Sequence, residues 1–156
     1  MRKKILWVIE HLAKYSALFL VYGIIYFTIE SLYKGHLTHP LMFAVGGIVG
    51  ILIGMINNLF DMDTDFILQC FVGMMIVLII ECVIGYQFNI IEGWGMWDYS
   101  RVPFNYVGGQ ICIPFAIAWF ILSGVCIVLD DELRYRLFND EKPYYVIWNK
   151  VIKRSK

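Results

Sequence analysis

Glu81 is the residue of this chain best placed to do chemistry, because it stands inside the apolar run from Phe66 to Phe88 with no cation near it in sequence. A carboxylate in hydrocarbon is costly unless something protonates, pairs or hydrates it. Glu30, late in the apolar run Tyr15 to Tyr33, is a second acid of this kind. Between the third and fourth apolar runs, IIEGWGMWDYSRVPFNYVGGQ gathers Trp97, Asp98, Tyr99, Arg101, Asn105 and Gln110 within a few residues of one another. Paired acids with amide and hydroxyl neighbours suit a cation, a proton or a polar substrate, and these eight residues form the candidate substrate-binding set. In a purely structural reading, Glu30 snorkels to water and Glu81 donates, protonated, to a carbonyl or a neighbouring side chain.

Four elements must position these groups. Tyr15 to Tyr33, Leu41 to Phe60, Phe66 to Phe88 and Ile111 to Leu129 are each near the ~20 residues that an α-helix needs to cross hydrocarbon. Hydrophobic residues make up 60% of the 156 and charged ones 17%, an excess that a soluble core does not absorb. The runs do not alternate as barrel strands would. The fold expected is all-α, a single integral membrane domain built as a four-helix bundle, followed by a cytoplasmic helical tail over 130–156.

The net charge is zero, yet the cations are segregated. Arg2, Lys3, Lys4 and Lys14 precede the first span or open it, Arg134, Arg136, Lys142, Lys150, Lys153, Arg154 and Lys156 follow the fourth, and only Lys34 and Arg101 lie between. The positive-inside bias then puts both termini in the cytoplasm, in agreement with an even number of spans. Glu30 and Glu81 come to similar depth in the outer half, Glu81 being about 22 Å along its helix from Phe66 at ~1.5 Å per residue. The loop between spans three and four is external, with Trp94, Trp97 and Tyr99 suited to the headgroup level as an interfacial or re-entrant piece. MRKKILWV resembles a signal peptide, but Glu10, His11 and Lys14 interrupt the apolar region, so the first helix is expected to be retained.

Helix packing is also written in the sequence. Gly46, Gly50 and Gly54 recur every four residues on one face of the second span, allowing close backbone approach where lipid supplies no hydrophobic drive. Gly108, Cys112 and Ala116 repeat the spacing at the fourth span, with Pro114 expected to kink or restart that helix. Both stripes are read as helix packing, within the chain or in a homo-oligomer. YGIIYFTIESLYKG lies over GMMIVLIIECVIGY so that Glu30 meets Glu81, the pattern that a duplicated hairpin would leave.

Other chemistry finds little support. Cys70, Cys82, Cys112 and Cys126 lack metal-ligand spacing and read as small packing residues; His11, His36 and His39 are scattered, so no metal and no cofactor is expected. No GxxxxGK[ST] loop occurs, so any ATPase driving this chain is a separate polypeptide. Orientation and attraction to anionic lipid account for the basic ends without nucleic acid. DMDTD over 61–65 reads as a solvated capping turn, and Asn57, Asn58 and Gln69 as interhelical hydrogen bonders. YYVIWNKVIKRSK mixes aromatic residues and cations as a segment on the inner membrane surface does.

At WDYSRVPFNYVGGQICIPFAIAWF the chain resembles the bacterial family of putative type IV ABC-transporter permeases. Trp97, Asp98, Tyr99 and Ser100, then Pro103, Phe104 and Asn105, then Gly109, Gln110, Ile111, Cys112, Pro114 and Phe115 match its motif in kind. Ile113 replaces a leucine, and Glu30 matches an acid late in the family's first span. The resemblance implies a small multi-pass permease of a bacterial cell membrane, handling its substrate at the outer polar site with membrane lipid around it and a separate ATPase subunit. With four spans, a homo-oligomer or a second membrane subunit would be needed to enclose a path. The reading from a different class is a non-transporting interaction or regulatory subunit, or a lipid-acting membrane enzyme.

The charge segregation makes the topology testable. A cysteine placed at position 101 of an otherwise cysteine-free chain is expected to react with an impermeant maleimide added outside intact cells. Labelling from the cytoplasmic side alone would invert the orientation.

Overall fold

A computed structural model describes residues 2–61, 63–148 and 150–153. Arg154 and Lys156 of the expected basic tail, Asn149 within it and Met62 of DMDTD lie outside the described residues. Helix α1 runs Arg2–Lys34 and stops at Gly35, whose φ of 70° ends the helical hydrogen bonding. Helix α2 (Leu41–Gly54) follows Pro40 and, after Met55, resumes for one turn as α3 (Ile56–Leu59). Helix α4 (Phe66–Ile84) opens on Asp65, whose carboxylate accepts the Ile67 N–H at 2.8 Å, the capping role expected of DMDTD. It passes into a π-helical turn over Gly85–Ile91. Four helices, Lys4–Lys34, Leu41–Leu59, Phe66–Ile91 and Ile113–Phe138, are long and apolar enough to cross a membrane.

The fourth begins later than the sequence suggests. Ile111–Cys112 forms strand β2, paired antiparallel with β1 (Asn105–Tyr106), and α5 spans Ile113–Phe138. Pro114 falls in the first turn of α5, where its missing N–H has no helical partner to lose, so it starts the helix rather than kinking it. The expected stripe of Gly108, Cys112 and Ala116 is therefore corrected: Gly108 lies in a turn at φ 62° and Cys112 in a strand, leaving only Ala116 on the helix.

The far end also departs from expectation. Helix α5 carries the expected helical tail from Asp130 only to Phe138 and ends at left-handed Asn139; YYVI and KVIK then form an antiparallel hairpin, β3 (Tyr144–Ile147) with β4 (Lys150–Lys153), in place of further helix. The hairpin docks on the acidic turn: Tyr144 donates to Asp63 at 2.9 Å and the Trp148 N–H to Asp65 at 2.7 Å. Lys14 pairs with Asp140 at 2.5 Å. The first turns of α1 and the β3–β4 hairpin thus share one end of the bundle with the turn before α4, here called the terminal end, and the 92–112 loop covers the opposite, loop end.

Close helix contact is concentrated in two pairs. On α2, Gly46 and Gly50 lie against the side chains of Tyr26 and Tyr22 of α1, and Gly47 against Phe19. Gly54 faces Asp130 of α5 instead, so the stripe is occupied within one chain. A second small-residue contact, absent from the sequence expectation, joins α4 to α5 through Gly73 against Ser123 and Gly124 against Cys70. Helix α1 meets α5 through side chains: Tyr22 with Asp130, and Tyr26 with Trp119 at 5.9 Å between rings. Ile53, Ile56, Val77 and Ile127 fill the core, while Ile48, Ile79, Val83, Ile117 and Ile121 each expose half or more of their surface. That outward apolar surface is what a bilayer covers.

Gly50→Leu is expected to lower the thermal midpoint in detergent, because the added side chain collides with Tyr22 and overpacking costs about 1–3 kcal/mol or more. Ile48→Leu, on the exposed face two residues away, is expected to leave the midpoint unchanged. Equal behaviour of the two variants would refute the close contact.

Candidate functional site at the loop end

Glu30, near the end of α1, is held by a lysine that the sequence reading left unassigned. Lys34, one turn later, reaches Glu30 at 2.5 Å, the Thr38 hydroxyl at 2.8 Å and the Met96 carbonyl at 2.8 Å. The i,i+4 spacing of Glu30 and Lys34 was the available signal. Thr38 also donates to Glu30 at 3.0 Å, and Tyr26 approaches the same carboxylate from one turn earlier. One end of the loop is thereby tied to α1 through Met96, which packs with Met42 and Val45 of α2.

Glu81 stands differently. It is 8% exposed, its Oε1 meets the Tyr99 hydroxyl at a long 3.4 Å, and its buried Oε2 has no hydrogen-bond partner among the described protein groups. The indole of Trp119 lies beside the carboxylate, but its N–H is not aligned on a partner. Glu30 lies within electrostatic range of Glu81. Tyr99 stacks on Phe115 with ring centres 4.5 Å apart. Its hydroxyl is held well above the ordinary phenol pKa by burial and then by the negative charge of Glu81, and it acts as a donor.

The remaining predicted residues shape the loop. Trp97 donates its indole N–H to the Gln110 carbonyl at 3.0 Å and lines the space between the helices. Gln110 is buried, accepting from Asn89 at 2.8 Å and donating to the Gly108 carbonyl at 3.2 Å. Asn105 donates to the Ser100 and Val102 carbonyls. Asp98 is exposed and accepts from the Ser100 N–H at 2.7 Å and hydroxyl at 3.0 Å, bonds that hold its carboxyl below the usual range. Arg101 is exposed and is not drawn into the acid cluster. Asn89, which the sequence reading passed over, organises the loop from the π-helical turn by contacting Met96, Trp97 and Gln110. A polar residue inside FNII was its only mark.

Backbone constraint marks the same loop. Phe104 and Val107 have φ of 57° and 53°, and Gly109, at φ 80°, sits so close to the Ser100 nitrogen that a Cβ would meet it at 2.6 Å. The family model described as Putative ABC-transporter type IV matches residues 7–152. The chain belongs to that family. No curated protein and no solved structure matches it. Within this family member, then, the WDYS-to-PF segment builds a cap whose internal bonds bring Trp97 and Tyr99 to the interior and leave Asp98 and Arg101 outside.

Lys34→Ala is expected to destabilise the chain by roughly 3–5 kcal/mol, because it strands Glu30 as a buried, unpaired carboxylate. Lys34→Ala combined with Glu30→Gln is expected to regain much of that loss, and Arg101→Ala to cost nothing measurable. Thermal midpoints of the three variants in one detergent check this ordering.

Proposed function

We propose that this chain is the membrane subunit of an ABC-type transporter, with its substrate contact at the loop end formed by Glu30, Glu81, Trp97 and Tyr99. The single observation that carries the reading is Glu81: a buried acid at the wall of an interhelical cavity, with no paired cation and one oxygen without a hydrogen-bond partner among the described residues. Intramembrane ionisable groups mark substrate or ion pathways because their burial is otherwise unfavourable. Asp98, Arg101, Asn105 and Gln110 belong to the site as the frame that holds Trp97 and Tyr99. Both termini are cytoplasmic in this proposal, the loop end faces outward, and the host membrane is a bacterial cell membrane.

Energy comes from a separate ATPase at the terminal end. There the β3–β4 hairpin, bonded to Asp63 and Asp65, widens the short 60–65 turn into a platform able to receive force. With four spans per chain, a second copy or another membrane subunit completes the path. Family membership and the outward apolar surface support this assembly, which takes up lipid around its circumference.

Purification of the tagged chain from its host membrane is expected to bring with it an ATPase, and Glu81→Gln is expected to uncouple that activity from transport while leaving assembly intact. A stable chain that carries no ATPase would sink the transporter reading in favour of a non-transporting subunit. Full transport by assembled Glu81→Gln would remove the site.

A further inference from the structure

All four long helices and Trp97 line one cavity of about 140 Å³. A dry engineered cavity of about 150 Å³ admits benzene, so a group of that size has room here. The walls are mostly aliphatic, with polar character confined to a few groups that include Glu81, Tyr26, Trp97, Trp119 and Ser123. Ile25 and Ile29 of α1 and Leu122 and Val125 of α5 line it while remaining exposed on the outer surface. Between α1 and α5 the cavity therefore reaches the apolar perimeter of the bundle.

Charge decides what suits the interior. Lys34 neutralises Glu30 at 2.5 Å, which leaves Glu81 as the surplus acid of the loop-end cluster. Among the described residues, no cationic side chain lines the cavity. The Ser123 hydroxyl, in a residue 1% exposed, also lacks a hydrogen-bond partner among the described protein groups. An anion would meet repulsion from an ionised Glu81, and an uncharged occupant would require the acid to keep its proton, so a cation is the occupant that the ionised carboxylate calls for. A hard metal ion would demand several converging oxygens, and the lining supplies chiefly hydrocarbon and rings. A substituted ammonium ion asks for less. Its charge is spread over alkyl groups that pack on aromatic faces within about 6 Å, and one carboxylate balances it.

We infer that the cavity binds an organic ammonium ion with an apolar body, Glu81 serving as its counter-ion and the Tyr26, Trp97 and Trp119 rings enclosing its alkyl groups. The inference rests on the loop-end cluster being the substrate contact, and it adds the class of substrate. Tyr26 and Trp119 stand 5.9 Å apart at 42°, in contact with each other as adjoining parts of one aromatic wall. The apolar body points toward the α1–α5 seam, through which the ligand enters from the bilayer.

The test uses the full chain in a nonionic maltoside detergent, free of lipids that carry ammonium groups. Benzyltrimethylammonium and its uncharged carbon isostere, neopentylbenzene, are titrated by calorimetry, with tryptophan fluorescence followed in parallel. The ammonium is expected to bind saturably at one per chain, the isostere roughly tenfold or more weaker. Glu81→Gln is expected to erase that preference. Absence of saturable ammonium binding, or equal affinity for the isostere, overturns the inference; the second result would mark a purely apolar pocket. Because the two ligands are compared on the unaltered chain, the comparison stays decisive even where Glu81→Gln fails to fold. If Glu81→Gln uncouples transport yet the ammonium does not bind, the site stands and only the substrate class falls.

Discussion

The contact of Tyr22 and Tyr26 with Gly50 and Gly46 is the constraint on which the bundle depends. A side chain at either glycine would occupy the volume that the phenol rings now fill. With the glycines there, α1 lies close on α2 and turns both tyrosines into the middle of the molecule. Tyr22 reaches Asp130 of α5 toward the terminal end, while Tyr26 reaches Glu30 and Trp119 toward the loop end. Two polar clusters and the cavity between them thus arise from one close crossing. In lipid, where apolar surface gives helices no reason to associate, such steric fit and polar bonding must specify the arrangement.

The terminal-end cluster shows how the chain pairs buried charge with its own groups. Asp130 is fully buried, yet it accepts from Tyr22 and pairs with Arg134 at 2.6 Å. Asp131 accepts from Asn57 at 2.6 Å and from Tyr145 at 3.0 Å. Asn58 faces Arg134, so both asparagines serve the interhelical role read from sequence. These bonds join α1, α3, α5 and the hairpin, which makes the cluster a clamp at the terminal end.

Much of this was legible because membrane helices obey a length rule and glycine spacing has a direct steric meaning. The four spans, the α2 stripe and the Asp65 cap all follow from local pattern. What escaped depends on geometry that spacing does not encode. The run over Ile111 to Leu129 looked continuous because Ile111 and Cys112 are as apolar as a helix interior, and only their pairing with Asn105 and Tyr106 makes them a strand. The terminal hairpin was hidden because aromatic residues and cations also suit a helix at a membrane surface; its docking to Asp63 and Asp65 is a contact across more than eighty residues. Lys34 was visible by its spacing from Glu30, whereas Asn89 acquires its role only once the loop folds over it.

The contrast between Glu81 and the terminal-end acids bears on function more than the depth of Glu81 alone. All three are buried in the same bundle and face the same penalty for losing water. Asp130 has an arginine and a phenol, and Asp131 an amide and a phenol, at short distance. Glu81 has one phenol at 3.4 Å and an indole that does not align, although Lys34 lies within the same cluster and is directed to Glu30. Glu30 and Asp130 also keep one buried oxygen without an aligned hydrogen bond, but each has a cation within 2.6 Å, and Glu81 has none among the described residues. What distinguishes Glu81 is thus the absence of a paired cation at a cavity wall, the feature on which the proposed site rests.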